Sequence, residues 1–272
     1  MRFIQPSFKI MQCPDGEEVL ALLERAARTC YKSEKKIYPG EPDWDAEQRM
    51  VQGRWKREPS SHRLVRKVLE LGHHSVIEHM VVTVRFICNR GVSHELVRHR
   101  IGSFSQESSR YCNYSKEQHG SGLNIIEPSY RPAMPPYKFD PESPQTSMDQ
   151  EAQWTKGEHR RVMWELALRK IEDTYLKLIE LGEKPELARD ILPIGLKTEV
   201  VTTFNLREWR HVFTLRALNK RAHPQIRELM LPLLHCLAAR IPIVFDDLVA
   251  ESERRLDAMD VLPLWRSTME TE

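Results

Sequence analysis

Glycine is scarce in this sequence, and the phosphate-binding loops that depend on it are missing. The chain has 11 glycines in 272 residues and neither a GxGxxG nor a GxxxxGK[ST] run. Cradles that bring backbone amides up to a phosphate are therefore excluded, so any phosphate must be held by side chains. A GxSxG nucleophile elbow is also absent. No apolar run approaches the ~20 residues that cross a bilayer. The opening MRFIQPSFKIMQCPDGEEV has no apolar signal core, so neither a membrane nor export is expected. Cysteine is sparse and unpaired in pattern: Cys13, Cys30, Cys88, Cys112 and Cys236 are odd in number with no CxxC. They read as free thiols of a reducing cytoplasm. Net charge is nearly absent too, at +2 from 41 basic and 39 acidic side chains. A general basic coat for nucleic acid is not indicated.

What is present is a globular composition, 40% apolar and 29% charged, able to bury a sizeable core. Residues 2–13 read as a strand, and Pro14-Asp15-Gly16 as a turn. Val19, Leu20, Leu23, Ala26 and Ala27 recur at helical spacing between Glu17 and Tyr31. Residues 33–60 read as loop or short helical turns, and Ser61 as the cap of a helix that stops at Gly72. HMVVTVRFIC, residues 79–88, is the clearest strand, and Ser93 is expected to cap a short helix behind it. Residues 127–157 hold six prolines and read as an irregular excursion. A long amphipathic helix ending near Gly182, a strand over Lys197–Asn205, and helices over 206–218 and 224–239 complete the pattern. It is α+β, with no internal domain boundary.

Two stretches carry candidate chemistry. In the first, Arg98, Arg100 and Arg110 lie within 13 positions, interleaved with Ser103, Ser105, Ser108 and Ser109. Planar guanidinium forks with short hydroxyl donors are what a phosphate needs without a glycine loop. The same composition also describes a solvated face paired with Glu95 and Glu107. The second stretch brings Arg189, Asn205, Arg207, Arg216, Arg221 and His223. On one helix Arg207 and Arg216 would stand about 180° apart and meet different neighbours. The run His73-His74-Ser75-Val76-Ile77-Glu78-His79 invites a metal, but His79 falls about 140° from His74 on a helix. The HxxEH pattern is missed by one residue, and no metal is expected.

Arg98-His99-Arg100 with Ser108 resembles the RHR-x7-S signature of flavin-dependent thymidylate synthases. It does not stand alone. Gly72 to His79 resembles the GH-x-[ST]-x-x-EH segment of that family, and Pro185 to Pro193 its E-x-AR-x-x-LP helix. Asn205-Leu206-Arg207, Leu215-Arg216 and Ala222-His223-Pro224-Gln225-Ile226-Arg227 follow in the family's order, so the likeness runs from about residue 17 to 245. Three positions depart from the common pattern: Gln106 is often acidic, Ser109 often glycine, and His211 often asparagine.

The resemblance implies the thymidylate synthase-complementing fold, a single catalytic domain over 1–272 with a central antiparallel or mixed sheet flanked by helices. It implies reductive methylation of dUMP to dTMP, with methylenetetrahydrofolate as carbon donor and FAD, reduced by NADPH, as hydride carrier. It also implies a homotetramer with active sites at subunit junctions. FAD would be contacted by Ser75, Arg98, His99, Arg100, Gln106, Asn205, Leu206, Arg207 and His211. The nucleotide dUMP would be held by Glu95, Arg98, Gln106, Glu107, Ser108, Ser109, Arg110, Arg189 and Arg216. Arg189 would come from another subunit, and Arg216 would face the uracil as the catalytic group. Classical thymidylate synthases use a cysteine thiolate, whereas here the nearest cysteine, Cys112, has no assigned base. On the residues alone, another nucleotide-binding flavoprotein or a nucleic-acid module using the arginines would be the alternative, the latter with steep salt dependence.

Overall fold

The computed structural model describes residues 1–30, 32–42, 55–117, 121–128 and 155–256. Most of the proline-rich stretch at 127–157 lies outside them. In chain order the strands are β1 (Arg2–Ile4), β2 (Ser7–Gln12), β3 (Glu41–Pro42), β4 (Trp55–Arg57), β5 (Val81–Asn89), β6 (Ser103–Gln106), β7 (Asn124–Ile126) and β8 (Lys197–Asn205). The helices are α1 (Gly16–Thr29), α2 (Ser60–Glu70), α3 (Arg90–Leu96), α4 (Lys156–Glu180), α5 (Pro185–Ala188), α6 (Leu206–Arg216), α7 (Pro224–Arg240) and α8 (Asp246–Leu256). The architecture is α+β. Two compact units are built from these elements. The first comprises Met1–Ser7, Ile87–Leu96 and Gln106–Val200; the second comprises Phe8–Phe86, Val97–Ser105 and Val201–Glu272.

The main sheet has the order β2-β5-β8-β6. Leu206 N donates to Met80 O at 3.0 Å, and Arg90 N to Leu196 O at 3.1 Å. Both pairs sum to the same register, so β5 and β8 run antiparallel. Along β5 every second residue is buried (Val82, Val84, Phe86, Cys88), and along β8 likewise (Thr198, Val200, Thr202, Phe204). This period of two is what β-branched and aromatic residues on a half-covered sheet give. The strand expected over 2–13 is two strands, because Pro6 cannot donate to a ladder. β1 instead pairs in parallel with β7, Arg2 opposite Asn124, and β2 joins the main sheet.

Local capping corrects two expectations. Ser61 does not start α2. The helix begins at Ser60, whose Oγ accepts from Tyr38 N at 2.7 Å. Ser93 is not a cap either. Asn89 Oδ1 accepts from Val92 N at 2.7 Å, so α3 begins directly off β5. Ser93 is buried inside that helix and donates to Arg90 O at 3.0 Å. α1 follows the sequence more closely, since Asp15 Oδ1 accepts from Glu17 N at 3.0 Å and Glu18 N at 3.3 Å.

The first unit's core gathers Tyr114, Leu123, Ile125, Leu168, Tyr175, Ala188 and Leu196. The second unit packs Trp209 against Phe204 and Phe213, with ring centroids 5.0 and 5.5 Å apart, and Trp209 Nε1 donates to Val82 O at 3.1 Å. Such a satisfied indole combines large apolar burial with a fixed orientation. Among the described residues no helix is long and apolar enough to cross a membrane.

Candidate active site

In the first unit the second half of the signature leaves β6 as a turn. Gln106 points inward, its Nε2 donating to Ser93 Oγ at 2.9 Å and Thr198 Oγ1 at 3.1 Å. Glu107 is held by Lys197 Nζ at 2.8 Å and the Tyr114 hydroxyl at 3.1 Å. Its own backbone N donates to Glu199 O at 2.9 Å. Burial pulls the Lys197 ammonium down, but its bonds to Glu107 and Glu199 outweigh this and hold it above the ordinary lysine value. Above this strut the chain turns, with Tyr111 N and Cys112 N both donating to Ser108 O. Ser109 is buried, and Arg189 Nη1 stands 3.5 Å from its Oγ. Arg110 is exposed, its Nη2 4.0 Å from Glu186 Oε2. Glu95 lies half-buried on α3.

Arg189 therefore lies beside Ser109 of its own chain. The cause is local. α5 anchors Ala188 in the same core cluster as Tyr114, so the residue after the helix emerges beside the turn. Cys112 is half-buried, and burial, reinforced by the Glu107 charge, pushes its thiol up.

The second unit assembles a different centre. Arg98 and Arg100 are exposed on either side of the buried His99. His99 Nδ1 lies 3.0 Å from Glu208 Oε1, and Arg216 Nε donates to His99 Nε2 at 3.3 Å. His211 stands with its ring 5.6 Å from that of His99. Burial, joined by the Arg216 and His211 charges, lowers the His99 pKa against the pull of Glu208. His99 is thus neutral near pH 7, as acceptance of the Arg216 proton requires. Asn205 Oδ1 caps α6 by accepting from Glu208 N at 2.8 Å, and Leu206 is fully buried behind it. At the first turn of α6 Arg207 pairs with Glu78 at 2.5 Å, while Arg216 at its end meets His99, as their opposite faces predict. Ser75 is exposed on the short helical segment His74–His79.

Gly102, between the arginines and β6, lies against Phe204. A Cβ there would come within 2.2 Å of the ring, so only glycine lets the signature lie this close to β8.

The metal question divides similarly. Glu78 is engaged by Arg207. Ligand-type atoms of His99, Glu208 and His211 lie within 4.8 Å of one another. Yet His99 already binds Glu208 and Arg216 through its two nitrogens, and the guanidinium repels a second cation. We assign no metal to them.

The family model for thymidylate synthase complementing protein matches residues 12–243. The chain belongs to this family. Among curated relatives, a flavin-dependent thymidylate synthase of Geobacter sulfurreducens is 33% identical over 182 residues, 66% of each chain. The enzyme of that name from Corynebacterium aurimucosum is 30% identical over 238 residues, 85% of this chain and 81% of the relative. The Mycobacterium tuberculosis one is 29% identical over 234 residues, 86% and 81% of the two chains. The fold matches the UMP/dUMP methylase PolB of Streptomyces cacaoi bound with 5-Br UMP, with TM-score 0.63, 16% identity, and 93% and 97% coverage. The chain is accordingly an enzyme of the flavin-dependent thymidylate synthase family.

Sequence reasoning missed Glu208, Lys197, Tyr114, Ser93 and Thr198 as partners of the signature. Asn205-x-x-Glu208 reads as an ordinary helix start, and no local spacing links Lys197 to Glu107, 90 positions away.

Proposed function

We propose that the enzyme methylates dUMP to dTMP, taking its carbon from methylenetetrahydrofolate and using FAD reduced by NADPH. FAD, when bound, supplies the hydride that completes the methyl group. The observation that carries this reading is the Arg216 guanidinium held against His99, the middle residue of the signature. Carbon-5 of uracil is a weak nucleophile. A fixed cation at the pyrimidine edge stabilises negative charge on nitrogen-3 and its carbonyls, which raises electron density at carbon-5. Arg216 keeps its charge at any working pH. A thiolate route is disfavoured, since burial holds the Cys112 thiol protonated.

In this reading Ser108, Ser109, Arg110 and Arg189 hold the phosphate, and Glu95 and Arg98 are also assigned to dUMP. Gln106 and Glu107 shape the turn from beneath, their polar atoms being engaged by Ser93, Thr198, Lys197 and Tyr114. The donor set of the second unit fits the anionic, hydrogen-bonding FAD. Arg98 and Arg100 present exposed guanidinium groups, and Ser75, His99, Asn205, Leu206, Arg207 and His211 are assigned to FAD with them, as is Gln106 of the first unit. We read residues 1–272 as one catalytic domain, in a cytoplasmic homotetramer with shared active sites and without metal or nucleic acid.

The test is rescue of a thymidine-requiring bacterium by the gene, alongside purification. We expect rescue, a yellow protein, and no rescue by an Arg216→Ala copy. A colourless protein without micromolar FAD affinity, or equal rescue by both copies, would sink the reading.

A further inference from the structure

We propose that Glu208 is a positioning residue: its carboxylate fixes His99 as the Nδ1–H tautomer, and the Nε2 lone pair so exposed aims the guanidinium of Arg216. The inference rests on Arg216 acting at the pyrimidine, but its geometry is independent of that role. Glu208 and His99 are buried, with side chains 9% and 3% exposed. A buried carboxylate needs a donor, and Asn205 has already satisfied the Glu208 backbone N. In a capping box the carboxylate would turn back to Asn205 N. Here it reaches His99 instead, 109 positions away in sequence.

The proton positions follow from the donors. Arginine has no lone pair to offer, so Arg216 Nε–H must donate and His99 Nε2 must accept. The ring proton is then on Nδ1, and its partner is Glu208 Oε1. Three groups in series carry a minus charge, a neutral dipole and a plus charge. A second proton on His99 would set N–H against N–H at Arg216 and put two cations in contact. The groups facing His99 are Glu208, Arg216 and His211, all from α6, beside the uncharged Phe204 of β8. Of these only Glu208 favours the protonated ring.

The full-length enzyme with FAD added is compared with Glu208→Gln and Glu208→Ala. For Glu208→Ala we expect kcat for dTMP to fall ~10- to 100-fold, the size of a lost charge-assisted hydrogen bond. KM for dUMP and circular dichroism should stay near wild type. Glu208→Gln should recover most of the rate, because its amide oxygen still accepts from Nδ1–H. Removing the carboxylate charge should move the acid limb of the kcat–pH profile to lower pH in Glu208→Gln, a shift that a purely structural role would not produce. Independently of turnover, histidine-selective 15N NMR of wild type at pH 7, assigned with His99→Gln, should show protonated Nδ1 and bare Nε2. A bare Nδ1 overturns the proposal, as do unchanged kcat in Glu208→Ala and equal impairment of both variants. Loss of activity on chelation, restored by zinc, would replace it with a metal site. If wild type has the expected tautomer but makes no dTMP, the relay stands and the reading of Arg216 falls.

Discussion

The two halves of the signature sit in different units and are built on opposite electrostatic plans. In the first unit a carboxylate, Glu107, is the hub, and a lysine and a tyrosine converge on it. The cations that would meet substrate, Arg110 and Arg189, are loosely tethered at 4.0 and 3.5 Å. In the second unit the hub is a neutral imidazole, and Arg216, the cation proposed to face the uracil, is bound to it. Loose arginines suit a doubly charged phosphate, which brings its own acceptors and can draw side chains onto itself. A pre-aimed arginine suits charge that exists only in the transition state, because reorganising at that moment would add to the barrier.

The plans also titrate at opposite ends of the pH scale. Lys197 has a raised pKa in the folded chain. Its contribution is complete at neutral pH and is lost only as pH climbs past the ordinary lysine range through the folded value. His99 has a lowered one. Below the ordinary imidazole value the unfolded chain takes up that proton first, so stability from this centre declines as pH falls.

The sharpest way to break the comparison is to remove one arginine from each unit. Arg216→Ala should cut kcat for dTMP by ~10²- to 10³-fold with NADPH oxidation much less affected. Arg189→Ala should weaken dUMP binding by ~10- to 100-fold, the range for a charge-assisted bond, with kcat at saturation changed far less. Steady-state kinetics on both variants decides it. The same kcat-to-KM signature in each would mean the units do not divide the labour this way.

A smaller effect tests the strut. Lys197→Met leaves Glu107 and Glu199 without their shared cation, with side chains 16% and 31% exposed. Urea unfolding should show a loss of roughly 1–3 kcal/mol, below the full cost of orphaning a buried charge because solvent still reaches both. Affinity for dUMP should fall several-fold as the Ser108–Arg110 turn loosens. Undiminished stability would make Lys197 a surface residue.

The sequence displays the long strands of the main sheet more plainly than the wiring of the site. HMVVTVRFIC and Lys197–Asn205 announce β5 and β8, since β-branched residues at period two have no competing interpretation. β6 and β7 were hidden, being four and three residues long, too short for any period. α8 was overlooked behind Pro242 and the short turn after it. At the candidate site the signature arginines were legible as residue types. Their partners were not, because Glu208, Lys197 and Tyr114 become neighbours only through the β5–β8 pairing and the turn after β6. The intrachain nearness of Arg189 to Ser109 is hidden for the same reason, since it depends on core packing around Ala188.

The smallest expected effect belongs to Cys112, which tests whether the unit proposed to hold the phosphate also supplies a nucleophile. Its thiol follows the signature directly and is half-buried. Position alone would make it a candidate, but chemistry opposes it. A nucleophilic cysteine needs a cationic or donor-rich setting that lowers its pKa, whereas burial and the Glu107 charge raise this one. The nearby cations that would lower it, Lys197 and Arg90, are already turned to Glu107, through its carboxylate and its carbonyl oxygen. Cys112→Ala should therefore retain activity within about threefold, since a conservative change away from the reacting atoms costs little. Iodoacetamide should modify Cys112 more slowly than the exposed Cys30 at pH 8. Complete loss of dTMP formation, with fold and FAD binding intact, would move the attack on carbon-6 into the first unit and leave Arg216 an accessory to it.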